Sequence, residues 1–110
     1  MIRIRLSVKS AMISSLDAEG HANSGPKGND IVCSSVSILL RSVCNSLETL
    51  QGAELSGSAE KEGDLHLRVK SVPEEYGGEL KGITRVLVLG LRGLQKDFPD
   101  HLTLEVVGEE

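Results

Sequence analysis

The spacing of the apolar residues changes along this chain, and the change restricts the fold more than any other feature of the sequence. Residues 2–8 alternate between apolar and polar side chains, which predicts a strand with one buried face. Residues 31–50 instead carry apolar side chains at steps of three and four, which predicts an amphipathic helix. A chain that uses both periods is expected to pack helices against a sheet.

The rest of the chain continues this pattern. Residues 11–19 predict a second strand in a hairpin with the first, and residues 20–30 predict a loop, because four of these eleven residues are Gly or Pro. Further strands are predicted at 52–57, 64–70 and 102–106, and a second helix from Pro73 to about residue 96. We therefore predict one domain, residues 1–110, with an α/β (α+β) fold. It is a two-layer sandwich of two helices on a five-stranded mixed or antiparallel sheet, in the order ββαββαβ.

Each predicted helix has a core-facing stripe. The stripe of the first helix comprises Val32, Val36, Leu39, Val43, Leu47 and Leu50. The stripe of the second comprises Tyr76, Leu80, Ile83, Leu87, Gly90 and Leu94. The second helix carries further apolar residues outside its stripe, among them Val86 and Leu89, so we expect it to pack between two layers or to contact another subunit.

The composition narrows the class of protein. Hydrophobic residues make up 39% of the chain and charged residues 25%, which is typical of a soluble globular protein. The net charge of -4 argues against tight binding to nucleic acid, because proteins that bind it present a basic face. No apolar run approaches the ~20 residues that span a bilayer, and the alternating N-terminus lacks the apolar stretch of a signal peptide. We expect a cytoplasmic protein with neither a membrane nor a nucleic acid as partner.

The chain contains two cysteines, Cys33 and Cys44, and both fall in the predicted first helix. A helix would separate them by about 16 Å along its axis, whereas a disulfide needs Cα atoms within about 7 Å. We therefore expect two free thiols. Cys44 lies near the core stripe and is interpreted as structural.

A thiol, an imidazole and a carboxylate meet around the start of the first helix. Asn29 or Asp30 would cap that helix, which places Cys33 in its first turn. The backbone N–H groups and the dipole there favour a thiolate and could bind an oxyanion. His21, at the far end of the preceding loop, could act as a general base, and Ser37 would share the helix face of Cys33.

Each of these residues also has an ordinary structural interpretation. A cysteine in a first helical turn is more often a small buried residue than a nucleophile, and a loop histidine is more often a solvated surface group. Asp30 alone would be an N-cap, and Ser37 a tolerated helix residue. The spacing by itself therefore does not decide between a catalytic and a structural role for these residues.

A longer stretch of sequence carries a family resemblance. Residues 20–22 read Gly-His-Ala, and after a glycine-rich gap residues 28–37 read Gly-Asn-Asp-Ile-Val-Cys-Ser-Ser-Val-Ser. This pattern resembles the signature of the ribosomal-processing cysteine protease family, Prp. Weaker similarities follow at residues 45–47, at 93–94 and at 98–99.

The resemblance implies an activity and a set of roles. Members are cysteine endopeptidases that remove a short N-terminal extension from a bacterial large-subunit ribosomal protein, the one numbered twenty-seven, and they are homodimers. Cys33 would be the nucleophile and His21 its base, with Asp30 and Ser37 in support. The substrate loop would include Gly20, Asn23, Gly25 and Gly28. The alternative is a non-catalytic ribosome-associated or peptide-binding module of the same fold, which would not need a reactive thiol.

Two other kinds of site are expected to be absent. Residues 20–28 look superficially like a phosphate-binding loop, but Pro26 displaces Lys27 and no Ser or Thr follows the lysine. The histidines and cysteines show no paired-ligand spacing, so we expect no metal and no cofactor. His66 and His101 have no recognisable partner in the sequence.

Overall fold

The secondary-structure elements follow one another in the predicted order. The computed structural model describes residues 1–20, 31–59 and 64–108. Within these residues the elements are β1 (Ile2–Lys9), β2 (Met12–Glu19), α1 (Ile31–Glu48), β3 (Glu54–Ser58), β4 (Leu65–Ser71), α2 (Gly77–Asp97) and β5 (Leu102–Gly108). The order ββαββαβ and the α+β class are confirmed.

The described strands form one mixed sheet. Its strand order is β3-β4-β2-β1-β5. The pairs β1/β2, β2/β4 and β3/β4 are antiparallel, whereas β1 and β5 run parallel. The last strand therefore returns beside the first, and β1 lies between two partners in the interior of the sheet.

A tight turn joins β1 to β2. Lys9 pairs with Met12, so only Ser10 and Ala11 lie between the strands. Both have positive φ, 54° and 65°. This is the backbone of a type I′ turn, whose twist matches that of the flanking strands, although Gly and Asn are the residues that adopt it at least cost.

One face of the sheet forms the core. On β1 the apolar side chains Ile2, Ile4 and Leu6 are buried, and the alternating Arg3 and Arg5 are exposed. The register keeps this division across strands, since Ile4 pairs with Leu104 and Leu6 with Leu16. The period-two pattern thus produces an apolar inner face under the helices and a charged outer face.

Helix α1 packs its apolar face on the sheet. Its buried residues are Val32, Val36, Leu40, Val43 and Leu47. The predicted stripe omitted Leu40, which is buried, and included Leu39, which packs against the core but is less buried. Leu39 is half-buried and turns towards α2, where a Cβ added to Gly90 would lie 2.9 Å from its Cδ2 atom. The absence of a side chain at Gly90 therefore permits the close contact between the two helices.

The 18 residues of α1 are also long and apolar enough, by length and composition, to cross a membrane. This was not predicted from the sequence, because polar residues interrupt the apolar residues of this segment. Here the buried face of the helix packs against the strands, as expected of the core helix of a globular domain.

Helix α2 differs from its prediction at both its start and its core face. A single 3-10 turn, Glu74–Tyr76, follows Pro73, and the α-helix begins only at Gly77. Its buried residues are Leu80, Thr84, Leu87, Val88 and Leu91, so the predicted stripe is rotated. Val86 and Leu89 are exposed, at 64% and 55%.

Candidate active site

A cavity lies beside α1 at the end of the sheet where β2 ends and β1 and β4 begin. Its volume is about 380 Å³. Its wall on α1 comprises Cys33, Val36, Ser37, Leu40, Arg41 and Cys44. The facing wall comprises Ile2, Ala18, Gly20, Ala59, Asp64 and Leu65. Most of these side chains are apolar, so the cavity suits a ligand with apolar groups.

Cys33 lies in the first turn of α1 and lines this cavity. The helix begins at Ile31, and the Cys33 side chain is half-buried. The first backbone N–H groups of a helix have no partner within the helix and carry the positive end of its dipole. The described first turn contains no acidic residue that would oppose this field. By these general properties of helix N-termini, the position favours a thiolate and a bound oxyanion.

Ser37 lies one turn after Cys33 and lines the same cavity. The prediction that the two residues share one helix face is confirmed. Ser37 is exposed, so its hydroxyl can reach a ligand in the cavity without rearrangement of the core.

Gly20 ends β2 at the rim of the cavity. Its φ is +92°, a conformation that L side chains rarely adopt, and a Cβ there would overlap the carbonyl oxygen of Met1. Only glycine fits this position. The glycine at the start of the Gly-His-Ala sequence is therefore required by the structure, because the end of β2 passes too close to the Met1 backbone for any side chain.

Cys44 lines the cavity from the same helix, about three turns from Cys33. Neither thiol takes part in a disulfide. Burial, and then the charge of Glu48, raise the pKa of the Cys44 thiol. Cys44 packs against the core as expected, but its place on the cavity wall was not predicted, because the cavity forms only where the helix meets the ends of the strands.

A family model described as cysteine protease Prp matches residues 1–103. The chain belongs to this family. It is therefore a cysteine protease, and the two thiols of α1 are the candidates for its nucleophile.

Solved structures share this fold. The ribosomal processing protease Prp from S. aureus, in complex with a covalently linked product peptide, matches with a TM-score of 0.80 at 21% identity, over 96% of this chain and 99% of that one. The same protease with a substrate peptide matches with a TM-score of 0.74 at 20% identity and the same coverage. SMU.848 from Streptococcus mutans has a TM-score of 0.80 at 25% identity, over 99% of this chain and 96% of that one. No curated protein matches the sequence.

Several predicted residues of this Prp-family site lie outside the described residues. They are His21, Asn23, Gly25, Gly28 and Asp30. The roles predicted for them, as base, helix cap and substrate loop, stay predictions. Of the predicted site, the structure brings together Cys33, Ser37 and Gly20 around one cavity.

A second histidine, His66, has a partner that the sequence analysis missed. Its Nδ1 lies 2.7 Å from Oδ1 of Asp17 on the outer face of the sheet, and Arg68 donates to the same oxygen at 3.0 Å. The hydrogen bond with Asp17 raises the pKa of His66. Burial raises the pKa of Asp17, but the hydrogen bonds from His66 and Arg68 outweigh it, so that pKa is lowered overall.

This pair does not belong to the cavity. Asp17 lies between the buried residues Leu16 and Ala18 on β2, so its side chain points to the face opposite α1. His66 is therefore no alternative base for Cys33. The signal that could have revealed the pair is the alternation of β4, which puts His66 on the polar face of the sheet.

Proposed function

We propose that Cys33 is the nucleophile and that the protein removes the N-terminal extension of a bacterial large-subunit ribosomal protein, number twenty-seven. The observation that carries the proposal is the place of Cys33, at a helix N-terminus and on the wall of a largely apolar cavity. Cys44 lacks the helix-terminal field, and the raised pKa keeps its thiol protonated at neutral pH.

The substrate class has independent support. The S. aureus protease that shares this fold is a ribosomal processing enzyme, and its structures hold a substrate peptide and a covalently linked product peptide. A covalent product is what a thiol nucleophile leaves on the acyl side of a cut bond. The cavity beside Cys33 has the size and apolar walls that a peptide side chain requires.

The proposed mechanism uses His21 as the base. His21 takes the proton of the Cys33 thiol, and the thiolate attacks the scissile carbonyl carbon. N–H groups of the first turn of α1 hold the oxyanion. The intermediate collapses to a thioester, and the leaving amine receives the proton from His21. Water, deprotonated by His21, then attacks the thioester and releases the new carboxylate and the thiol.

Supporting roles are proposed for the neighbouring residues. Asp30 caps α1, or it orients His21, while Ser37 donates a hydrogen bond into the cavity. Gly20, Asn23, Gly25 and Gly28 belong to the segment that contacts the substrate. A protein that matures ribosomal proteins would act in the cytoplasm, which cell fractionation can test.

We also propose a homodimer formed through α2. The outer face of this helix exposes Val86 and Leu89, and Cβ atoms added at Gly82 or Gly93 would meet nothing within 4 Å. Glycine inside a helix costs about 1 kcal/mol relative to alanine, and nothing within the described chain requires these two. A second copy packed closely on this face would bury the apolar pair. Light scattering on Leu89→Glu should then give a monomer.

The cleavage experiment decides the main proposal. The protein is incubated with the extended ribosomal protein of its own organism, and the cut is mapped by mass spectrometry. We expect one cut near the N-terminus, its loss in Cys33→Ala, and its retention in Cys44→Ala. Cleavage by Cys33→Ala at the normal rate would reject the nucleophile. Binding of the peptide without any cut would favour the non-catalytic module.

A further inference from the structure

Arg41 provides a cation on the wall of the cavity that holds Cys33. It lies on α1 eight residues after Cys33, which corresponds to about 12 Å along the helix axis. The side chain is exposed, so its guanidinium can reach the cavity mouth while its methylene groups cover the wall.

Arg41 has no carboxylate partner among the described residues, in contrast to the arginines of the outer sheet face. Arg3 lies 4.0 Å from Glu19, Arg5 lies 3.8 Å from Glu105, and Arg68 lies 3.0 Å from Asp17. A guanidinium has five N–H donors, and those of Arg41 remain available to a bound molecule.

The surroundings strengthen the interaction of this cation with a ligand. Val36 and Leu40 line the cavity on the same helix, and Leu65 lines it from β4. A peptide bound against these apolar walls would exclude part of the water around the guanidinium, and a lower local dielectric strengthens a hydrogen bond from a charged donor. Asp64 is the acidic residue among the described residues of the cavity wall. Its charge also acts on His66, whose pKa is raised mainly by the hydrogen bond with Asp17 and to a smaller extent by Asp64.

We propose that Arg41 is a specificity-determining residue that binds an oxygen acceptor of the substrate peptide three or four residues from the scissile bond. The spacing follows from the geometry, because an extended peptide advances about 3.3 Å per residue and must cover about 12 Å from Cys33. The inference rests on the proposed cleavage of the ribosomal protein by Cys33. The acceptor is a side-chain carboxylate, a side-chain amide or a backbone carbonyl, and the test separates these sources.

The test measures peptide binding, so that it does not depend on cleavage. Synthetic peptides spanning the cut of the extended ribosomal protein carry Glu, Gln, Ala or Lys at the third and fourth positions on either side. Their Kd values are measured on Cys33→Ala, alone and combined with Arg41→Gln or Arg41→Glu. Arg3→Gln in the same background is the matched control, because Arg3 lies on the outer face of the sheet.

We expect Arg41→Gln to weaken binding of the preferred peptide about fivefold to tenfold, the loss of one hydrogen bond from a charged donor at an exposed site. If only the Glu peptides lose affinity, the acceptor is a carboxylate. If the Glu and Gln peptides both lose affinity, it is a side-chain oxygen of either kind. An equal loss of affinity for all peptides identifies a backbone carbonyl. Arg41→Glu should then prefer Lys at the same position. Unchanged Kd values for every peptide in both Arg41 variants would overturn the inference.

The cleavage assay separates this inference from the function on which it rests. If the wild-type protein cuts the peptides and the Arg41 variants keep the same preference among them, only the role of Arg41 is refuted. Protein that binds the peptides through Arg41 but never cuts them would refute the proposed cleavage of this ribosomal protein and leave the recognition role intact. Iodoacetamide labelling of Cys33 at the wild-type rate in Arg41→Gln checks that the site is otherwise unchanged.

Discussion

Cys33 and Cys44 line one cavity from the same helix, about three turns apart. Their environments differ, because Cys33 lies in the first turn of α1 whereas burial and the charge of Glu48 raise the pKa of Cys44. We therefore expect iodoacetamide to alkylate Cys33 at least tenfold faster than Cys44 at pH 7, since the thiolate is the reacting form. Peptide mapping after timed pulses measures both rates in one sample, and equal slow labelling would contradict an activated Cys33.

Gly20 should tolerate no side chain. We expect Gly20→Ala to lower the free energy of unfolding by about 1–3 kcal/mol, because alanine is strained at a φ of +92° and its Cβ would overlap the Met1 carbonyl. Urea unfolding followed by circular dichroism measures the change. Gly78→Ala is the control, since an added Cβ there meets nothing within 4 Å and should leave stability unchanged or slightly raised.

Thr84 links α2 to the β1–β2 hairpin through a hydrogen bond. Its buried Oγ1 accepts a hydrogen bond from the backbone N–H of Ile13 at 2.9 Å and donates one to the Leu80 carbonyl at 2.8 Å. We expect Thr84→Val to lower the free energy of unfolding by about 1–3 kcal/mol, because the buried N–H of Ile13 loses its acceptor. Thr49→Val, at an exposed hydrogen bond, should change it by less than about 0.5 kcal/mol, and equal losses would contradict the proposed cause.

The His66–Asp17 pair should make stability depend on pH. Because the pKa of His66 is raised in the folded state, His66 contributes fully to the folding stability below about pH 6.5. This contribution is lost as the pH rises through the folded-state pKa. Because the pKa of Asp17 is lowered in the folded state, Asp17 contributes to the folding stability above about pH 3.8. This contribution is lost as the pH falls through the folded-state pKa. The pair therefore stabilises most between these two limits.

The His66→Gln variant isolates the histidine part of this dependence. We expect the urea midpoint of the wild-type protein to fall more between pH 6 and pH 9 than that of the variant. Two parallel pH profiles would show that the contact at 2.7 Å contributes nothing measurable.

The local pattern of the sequence was sufficient to predict most of the secondary structure and part of the site. Strict alternation specified β1 and its buried face, and steps of three and four specified α1, because these periods follow directly from backbone geometry. The same helical geometry put Ser37 one turn from Cys33 before any tertiary contact was known. The Gly-His-Ala and Asp-Ile-Val-Cys sequences were sufficient to identify the family.

Other features depended on which elements pack together. The parallel pairing of β5 with β1, and the hydrogen bond between Asp17 and His66 on separate strands, require the strand order, which no local period contains. The rotation of each helix decided that Leu40 is buried while Leu39 contacts Gly90, and that Thr84 faces the hairpin. The cavity that joins Cys33, Arg41 and Cys44 likewise forms only when α1 lies against the ends of three strands. A sequence period states which residues of one element share a face, but the identity of the facing surface is set by long-range packing.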